Sequence, residues 1–399
     1  MNSKKQKRIY LDYAATTPMD PLVLKEMEPY FVTKFGNPNS PHAFGQETLV
    51  AVDKAREMLA EFCNCSSNEI IFTSGATEGN NLAIRGVIKK YQKIIKKPEI
   101  ISTRIEHPSV LATCSDIENQ GVGIKYLPTN KNGTVNISGL EKLINDSTVL
   151  VSVMYANNEI GIIQPIREIG KLLNKLNKNR KTPIVFHTDA VQAVGTLNCD
   201  TKYLHVDLLS ISAHKIYGPK GVGALYVKSG TPITGIQTGG DQEYNLRAGT
   251  IPVPIIVGFG KAIELLKTYQ KKDKEKMTLL RDWAFNEIVN VVPDIKITGE
   301  LNNSRLANNL HLRVDEVNGE DVMFLLDTEA NIAVSAGSAC TAGATEPSKV
   351  LKEIGFDQKK SKEGLRITLG RMTTKSEMNT FVSKYISALK KLRKSIEMD

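Results

Sequence analysis

The chain has 399 residues, of which 41% are hydrophobic and 24% are charged, and its formal net charge is +9. These values are typical of a soluble globular protein with one large domain or two smaller ones. The lysines are scattered, so direct nucleic-acid binding is not expected as the main function, and no stretch is long enough to span a membrane.

The N-terminus and the cysteines indicate the compartment. Residues 1–8 are basic and polar and lack the apolar core of a signal peptide. The five cysteines are an odd number in a long chain, which argues against a disulfide framework and for a reducing environment. We therefore expect a cytoplasmic protein that does not bind a membrane.

Short apolar runs alternate with helical periodicity through the first two thirds of the chain. The predicted strands are 9–12, 69–72, 100–105, 149–154, 184–186, 208–211 and 222–227, and the predicted helices are 46–62, one from about 82, 110–120, 138–145 and 166–176. This alternation predicts an α/β domain with a largely parallel sheet. Functional groups of such sheets gather at the carboxyl ends of the strands, where polar residues follow several of these runs.

The last third has a different pattern. A long helix is expected from about residue 257, and the charged segment Lys271–Lys276 inside it marks a domain boundary. Strands at 295–297, 310–314, 333–335 and 365–369, with helices at 321–326 and at the C-terminus, then follow. A loop over 336–346, rich in small residues, carries Cys340.

Lys215 stands out because it follows a predicted buried strand and precedes a turn at 217–221. A lysine held at a strand end can lose its proton more readily than a surface lysine and form a Schiff base with a carbonyl. The alternative is an ordinary surface lysine in a hairpin. Which of the two applies depends on its neighbours in the fold.

A loop of small residues over 73–81 lies between a strand and a helix. This geometry presents backbone N–H groups to an anion, although many strand–helix turns carry Gly and Ser for conformational reasons alone. The loop lacks the lysine of a nucleotide P-loop. Together with Lys215, Asp189 and His107 it could supply the amine, carboxylate, flat ring and phosphate cradle of a pyridoxal phosphate (PLP) site. Singly, Asp189 could cap a helix and His107 could be structural.

Nine short motifs in register resemble those of the cysteine desulfurases, which are fold-type I, class V PLP enzymes. They are D-Y-A-A-T-T-P (12–18), T-S-G-A-T-E (73–78), E-H-P-S-V (106–110), N-N-E-I-G (157–161), H-T-D-A-V-Q (187–192), S-A-H-K (212–215), R-A-G-T (247–250), G-S-A-C (337–340) and L-R-I-T-L-G-R (365–371). The resemblance implies a mainly parallel seven-stranded sheet with helices on both faces and a smaller α+β domain. The large PLP-binding domain would cover 16–267, and the small domain would combine 1–15 with 268–399, including the cysteine loop at about 335–346.

The resemblance also implies a role for each motif residue. Lys215 would bind PLP covalently and move the substrate α-proton, Asp189 would pair with the pyridine nitrogen, and His107 would be a further catalytic residue that stacks on the ring and passes protons. The remaining cofactor contacts would come from Gln192 and Asn158 at the 3-oxygen and from Ala76, Thr77, Ser212, His214 and, from a second subunit, Thr250 at the phosphate. Arg366, helped by Asn158 and Asn37, would bind the substrate carboxylate.

Cys340 would be the nucleophile that takes sulfur from L-cysteine as a persulfide and releases alanine. A thiolate is needed for this attack, so the thiol should lie where its pKa can fall. No resident metal is expected, although Cys340 could act as a transient iron–sulfur ligand. The resemblance implies a homodimer that passes sulfur to an acceptor protein in iron–sulfur cluster assembly or tRNA thiolation.

Two positions depart from the family pattern, because Asp241 stands where a glycine is usual and Tyr244 where an arginine is usual. Both fall in the loop expected at the second subunit's site. The sequence around Cys340 resembles the family branch with the longer catalytic loop. Other interpretations are a selenocysteine lyase or aminotransferase of the same class, for which Cys340 discriminates against transamination, or a non-catalytic basic protein that binds RNA or a scaffold.

Overall fold

The computed structural model describes residues 8–302, 304–336 and 347–396. Its first part contributes, in order, β1 (Ile9–Tyr10), α1 (Pro21–Met27), α2 (Pro29–Val32), α3 (Ala43–Cys63), β2 (Ile70–Thr73), α4 (Ala76–Tyr91), β3 (Glu99–Ser102), α5 (Pro108–Glu118), β4 (Gly123–Tyr126), α6 (Ile137–Leu143), β5 (Thr148–Ser152), α7 (Ile166–Asn177), β6 (Val185–Asp189), α8 (Thr201–Leu204), β7 (Leu208–Ser212) and β8 (Gly223–Val227). The second part contributes α9 (Val253–Val291), β9 (Lys296–Ile297), β10 (Asn309–Arg313), α10 (Gly319–Ala330), β11 (Ile332–Ala333), β12 (Ser335–Ala336), α11 (Lys349–Glu353), β13 (Gly364–Thr368) and α12 (Lys375–Ile396).

A seven-stranded sheet forms the centre of the first part, with the strand order β2-β8-β7-β6-β5-β3-β4. Only β8 runs antiparallel to its neighbours, and the other pairs are parallel. The predicted α/β class with a mainly parallel sheet is therefore confirmed. The parallel strands β3, β5, β6 and β7 bring their carboxyl ends to one edge.

Both faces of this sheet are covered, because consecutive strand residues point to opposite sides. Ile100 and Leu150 pack into one hydrophobic core, whereas Ile101 and Val151 pack into the other. All of these side chains are fully buried. The apolar runs seen in the sequence are thus strands with two buried faces.

A second region has its own sheet, with the order β12-β13-β10-β9, and its own core. Helix α9, which has 39 residues, joins the regions. Its residues up to Leu266 pack in the core of the large sheet, and those from Met277 pack in the second core. The domain boundary predicted at 268 falls in this interval and remains a prediction.

Several predicted boundaries were wrong: the strands predicted at 100–105 and 149–154 end at Ser102 and Ser152, and strand β4 was not predicted. Helix α4 begins at Ala76 rather than at about 82, because its first turn consists of small and polar residues that carry no hydrophobic periodicity. Strand β6 continues to Asp189 instead of ending at 186, because His187 and Thr188 are buried polar residues with hydrogen-bond partners inside the sheet. In the part of the chain that the structure describes, no helix is both long and apolar enough to cross a membrane.

Candidate active site

A cavity of about 600 Å³ opens where the carboxyl ends of β6 and β7 face the second region. This volume lies within the range of small-molecule sites. Ten of the predicted site residues line it: Ala76, Thr77, His107, Asn158, Asp189, Gln192, Ser212, His214, Lys215 and Arg366. Side chains that are far apart in the sequence thus share one cavity.

Three predicted residues are not part of this group. Asn37 and Thr250 are exposed and do not line the cavity. The side-chain oxygen of Asn37 accepts a hydrogen bond from the backbone N–H of Asn39 within its own loop. Cys340 lies outside the described residues. The roles proposed for all three remain predictions.

Lys215 ends a short 3-10 turn that directly follows β7. Its Nζ donates hydrogen bonds to the carbonyl oxygens of Ala14, at 2.5 Å, and Ala15, at 2.6 Å. The Ala14 carbonyl also accepts from Gln192 Nε2 at 3.0 Å. The N-terminal turn therefore positions the lysine through its backbone, a contact that the motif at 12–18 did not reveal.

The first turn of α4 forms one wall of the cavity and is suited to bind an anion. Gly75 precedes it, and no side chain of the described residues caps the helix there, so N–H groups of the first turn are available to a ligand. His214 lines the same cavity, and its Nδ1 lies 3.1 Å from Thr16 Oγ1. Burial, with the nearby lysines 215 and 220, lowers the pKa of His214 to about 4, so its imidazole is neutral at neutral pH.

Asp189 and His107 belong to one hydrogen-bond network, here called the aspartate wall and consisting of Asn80, His107, Ser109 and Asp189. Asn80 Nδ2 donates to Asp189 Oδ2 at 2.7 Å and to Ser109 Oγ at 2.9 Å. Ser109 Oγ in turn lies 2.8 Å from His107 Nδ1. Asn80 and Ser109 were not predicted as site residues, although Ser109 lies inside one quoted motif and Asn80 lies just beyond another.

Arg366 lies on β13 and belongs to a second group, here called the arginine wall and consisting of Asp12, Asn158 and Arg366. Its Nη1 donates to the Asn158 carbonyl at 2.8 Å, and its Nη2 donates to Asp12 Oδ1 at 2.8 Å. Arg366 Nε is buried and has no hydrogen-bond partner among the described residues. Asp12 opens a quoted motif, but its pairing with Arg366 could not be inferred from the sequence.

Two further carboxyl groups lie next to these walls. Glu106 Oε1 accepts hydrogen bonds from the Met154 N–H, at 2.7 Å, and from Thr103 Oγ1, at 2.9 Å. It thereby ties the segment before His107 to the end of β5. Burial raises the pKa of Glu106 to about 8 and that of Glu159, beside Asn158, to about 7. Glu106 is therefore mainly protonated at neutral pH.

Comparison with known proteins assigns a family to this architecture. Residues 9–381 match the family model described as aminotransferase class V. The cysteine desulfurase IscS of Rickettsia typhi is 44% identical over 389 residues, which cover 97% of this chain and 92% of the relative. A solved NifS-like protein has a TM-score of 0.88 and 36% identity, with coverage of 96% of this chain and 100% of that one. A solved structure described as SspA in complex with cysteine has a TM-score of 0.78 and 34% identity, with coverage of 92% and 100%.

Proposed function

We propose that this chain, which belongs to the class V aminotransferase family, is a PLP-dependent cysteine desulfurase that converts L-cysteine to L-alanine and transfers the sulfur through Cys340. The observation that carries the proposal is the single cavity that gathers Lys215, Asp189, His107 and Arg366. The similarity to cysteine desulfurases over nearly the whole chain supports the same activity. Sulfur transfer for iron–sulfur cluster assembly is consistent with the IscS relatives.

The described residues fit PLP by the chemistry of their donors. The uncapped start of α4, with Ser212 and His214, would hold the phosphate, and Asp189 would hold a proton at the pyridine nitrogen. His107 would lie against the ring face, and Gln192 and Asn158 would donate to the 3-oxygen. PLP, when bound, supplies an electron sink that lowers the barrier to breaking bonds at the substrate α-carbon.

The residues of the chain then bind, orient and deprotonate the substrate. Lys215 would anchor the cofactor through its amine and later carry the α-proton, while the Ala14 and Ala15 carbonyls keep its Nζ in place. Arg366 would bind the substrate carboxylate, since a guanidinium forms two parallel hydrogen bonds with a carboxylate. Its buried Nε, which has no partner in the described ranges of the chain, is one of the N–H groups that remain for this task.

The sulfur transfer balances with one protein thiol. The Cys340 thiolate attacks the substrate sulfur, an S–S bond forms, and the bond between that sulfur and the substrate β-carbon breaks. The electron pair of the broken bond remains with the carbon fragment, which takes up a proton and leaves as alanine. The Cys340 persulfide then passes its outer sulfur to an acceptor protein.

We also propose a homodimer in the cytoplasm. Helices α1 and α2, the loop after α2 and the start of α3 expose large apolar side chains, among them Phe31 at 57%, Val32 at 75% and Phe35 at 66% exposure. Such a patch is unusual on a monomer, and a second copy of the chain would cover it. Thr250 is exposed and could then reach the partner's phosphate site. The four cysteines that the structure describes are unpaired, as a reducing compartment requires.

Two variants test this function. Purified protein incubated with PLP should show visible absorbance from the lysine-bound cofactor, and Lys215→Ala should lose it, whereas Lys202→Ala at an exposed position should retain it. Cys340→Ser should keep the absorbance and lose persulfide formation from L-cysteine, with Cys65→Ser as the matched control. Absent absorbance in the parent protein, or persulfide formation that persists without Cys340, would contradict the proposal.

A further inference from the structure

Asn80 is a buried amide between the two groups that would contact the cofactor ring. It lies in the second turn of α4 and is completely inaccessible to solvent. Its Nδ2 donates both of its hydrogens, one to Asp189 Oδ2 at 2.7 Å and one to Ser109 Oγ at 2.9 Å. An ionised carboxylate only accepts hydrogen bonds, so the amide nitrogen must face Asp189.

The oxygen of the Asn80 amide, in contrast to its nitrogen, makes no favourable polar contact with the described residues. Asn80 Oδ1 is buried and has no hydrogen-bond partner in the described part of the chain. A buried carbonyl without a partner is unfavourable, and a leucine of similar size would remove it. Packing alone therefore does not explain an asparagine at this position, whereas donation to Asp189 and Ser109 does.

The link through Ser109 determines which nitrogen of His107 carries the proton. The backbone N–H of Ser109 can only donate, and it donates to His107 Nδ1 at 3.1 Å. Because Nδ1 accepts this hydrogen bond it carries no hydrogen itself, so the Ser109 hydroxyl, 2.8 Å away, also donates to it while its Oγ accepts from Asn80. With two donors facing Nδ1, a neutral His107 carries its hydrogen on Nε2.

We propose that Asn80 is a positioning residue that orients the Asp189 carboxylate and, through Ser109, keeps His107 in the neutral form with its hydrogen on Nε2. Before the cofactor binds, His107 is therefore a hydrogen-bond donor through Nε2 and not a base at that atom. This positioning role deepens the proposed function, and it rests on that function only for the identity of the cofactor and substrate that the site binds. The network itself consists only of protein atoms.

The titratable groups that face this network are Asp189, Lys215 and Glu106. Asp189 favours a protonated imidazole, while burial and Lys215 disfavour one, and the pKa of His107 is lowered as a result. Glu106 is itself mainly protonated at neutral pH, because its pKa is about 8. Loss of Asn80 should let the Ser109 hydroxyl turn away from Nδ1, so that the backbone N–H of Ser109 alone opposes protonation at that atom and the imidazolium form becomes more populated.

The primary test is nuclear magnetic resonance of protein labelled with ¹⁵N at its six histidines, with the His107 signals assigned through His107→Gln. The cofactor-free parent protein at neutral pH should show His107 with an unprotonated Nδ1 and a protonated Nε2. In Asn80→Leu the imidazolium fraction should rise and the titration should move to higher pH. A protonated Nδ1 in the parent, or unchanged His107 signals in Asn80→Leu, would overturn the inference.

A double mutant tests whether Ser109 transmits the effect of Asn80 to His107. If Ser109 transmits the effect, Asn80→Leu should no longer shift the His107 signals in a Ser109→Ala background; an equal shift there would overturn the route. With L-cysteine, Asn80→Leu should also lower turnover about ten- to a hundredfold, as expected for loss of a hydrogen bond to a charged group. Asn119→Leu, at the exposed end of α5, is the matched control for both measurements.

The design separates this inference from the proposed function. If Asn80→Leu does not fold, as judged by circular dichroism, Asn80→Ala replaces it with the same expected results. If the parent shows the expected His107 form but neither binds PLP nor uses L-cysteine, the proposed function fails and the positioning role stands. If PLP and L-cysteine are used but His107 is protonated at Nδ1, the positioning role fails and the proposed function stands.

Discussion

The aspartate wall and the arginine wall face the same cavity but are assembled differently. Every side chain of the aspartate wall lies on, or directly before, one of the elements α4, α5 and β6, which pack against each other around the large sheet. The arginine wall joins three distant segments, since Arg366 on β13 contacts Asp12 near the N-terminus and the Asn158 carbonyl after β5. The first wall therefore follows from the packing of one region, and the second forms only where two regions meet.

This difference has a chemical counterpart. In the aspartate wall both oxygens of Asp189 accept protein donors, from Asn80 Nδ2 and from the Val191 N–H. In the arginine wall, Arg366 retains a buried N–H that has no partner among the residues that the structure describes. A group held by several bonds is suited to fix a permanent ligand, whereas a group with free donors is suited to bind and release a substrate. Substitutions in each wall should therefore affect different kinetic steps.

Asp189→Asn should give the largest effect, because it removes the charge opposite the pyridine nitrogen while it preserves the size of the side chain. We expect turnover of L-cysteine to fall about 10²- to 10³-fold, the range for loss of an electrostatic contact that is preorganised for the reaction. Alanine formation under saturating L-cysteine measures it. Asp315→Asn, in an exposed pair with Lys296, is the control. A loss below tenfold would mean that the aspartate wall does not tune the cofactor.

Arg366→Lys should act mainly on KM. Lysine keeps the charge but cannot donate simultaneously to the Asn158 carbonyl, to Asp12 and to a substrate carboxylate in the planar geometry of arginine. We expect kcat/KM to fall about ten- to a hundredfold while the visible absorbance of the PLP-loaded protein is unchanged. Arg393→Lys, in an exposed ion pair with Asp294, is the control. A change in absorbance would show that the two walls are not independent.

The same contrast explains what could be predicted from sequence. Six strands of the large sheet follow from runs of apolar residues, and the candidate lysine follows from its place after such a run. Strand β4 was not predicted, because its four residues are only partly buried and form no apolar run. Asn80 escaped prediction because its partner Asp189 is 109 positions away and only the packing of α4 on β6 brings them together. The pairing of Asp12 with Arg366 spans 354 positions and requires the second region to dock.

Each wall has a buried histidine behind it, so the two walls can be compared through the pH dependence of the unfolding free energy. His187 on β6 lies between Ser152 Oγ, at 2.8 Å, and Ser210 Oγ, at 3.1 Å, whereas His311 on β10 is paired in register with Arg366. Burial lowers the pKa of His187 to about 3, and burial with three nearby arginines lowers that of His311 to about 3. Each ring is neutral in the folded protein but takes up a proton when the chain unfolds below about pH 6.5.

The direction in which stability changes with pH follows from these pKa values. A histidine with a depressed pKa contributes stability that is present above about pH 6.5 and is lost as the pH falls toward about 3. Replacing either histidine by asparagine should reduce the slope of the unfolding free energy against pH by about 1.4 kcal/mol per unit between pH 4 and 6. Denaturant unfolding across this range measures it, with His205→Asn as the control. An unchanged slope would mean that the ring already titrates in the folded protein.

The smallest effect is expected from Ser348→Ala, which tests how far the arginine wall extends into the second region. Ser348 Oγ caps α11 by accepting from the Leu351 N–H, at 3.1 Å, and donates to Glu159 Oε2, at 2.5 Å, beside Asn158. Loss of this cap should cost about 1 kcal/mol of unfolding free energy.

The Ser348→Ala substitution should also raise the pKa of Glu159 above its value of about 7, because the hydroxyl stabilises the carboxylate. A negative charge is then lost near Arg366 at neutral pH, so KM for L-cysteine should change at most a few-fold while the absorbance of the bound cofactor stays constant. Ser138→Ala, at an exposed position, is the control, and a cofactor absorbance that shifts in Ser348→Ala alone would show that the arginine wall reaches the cofactor.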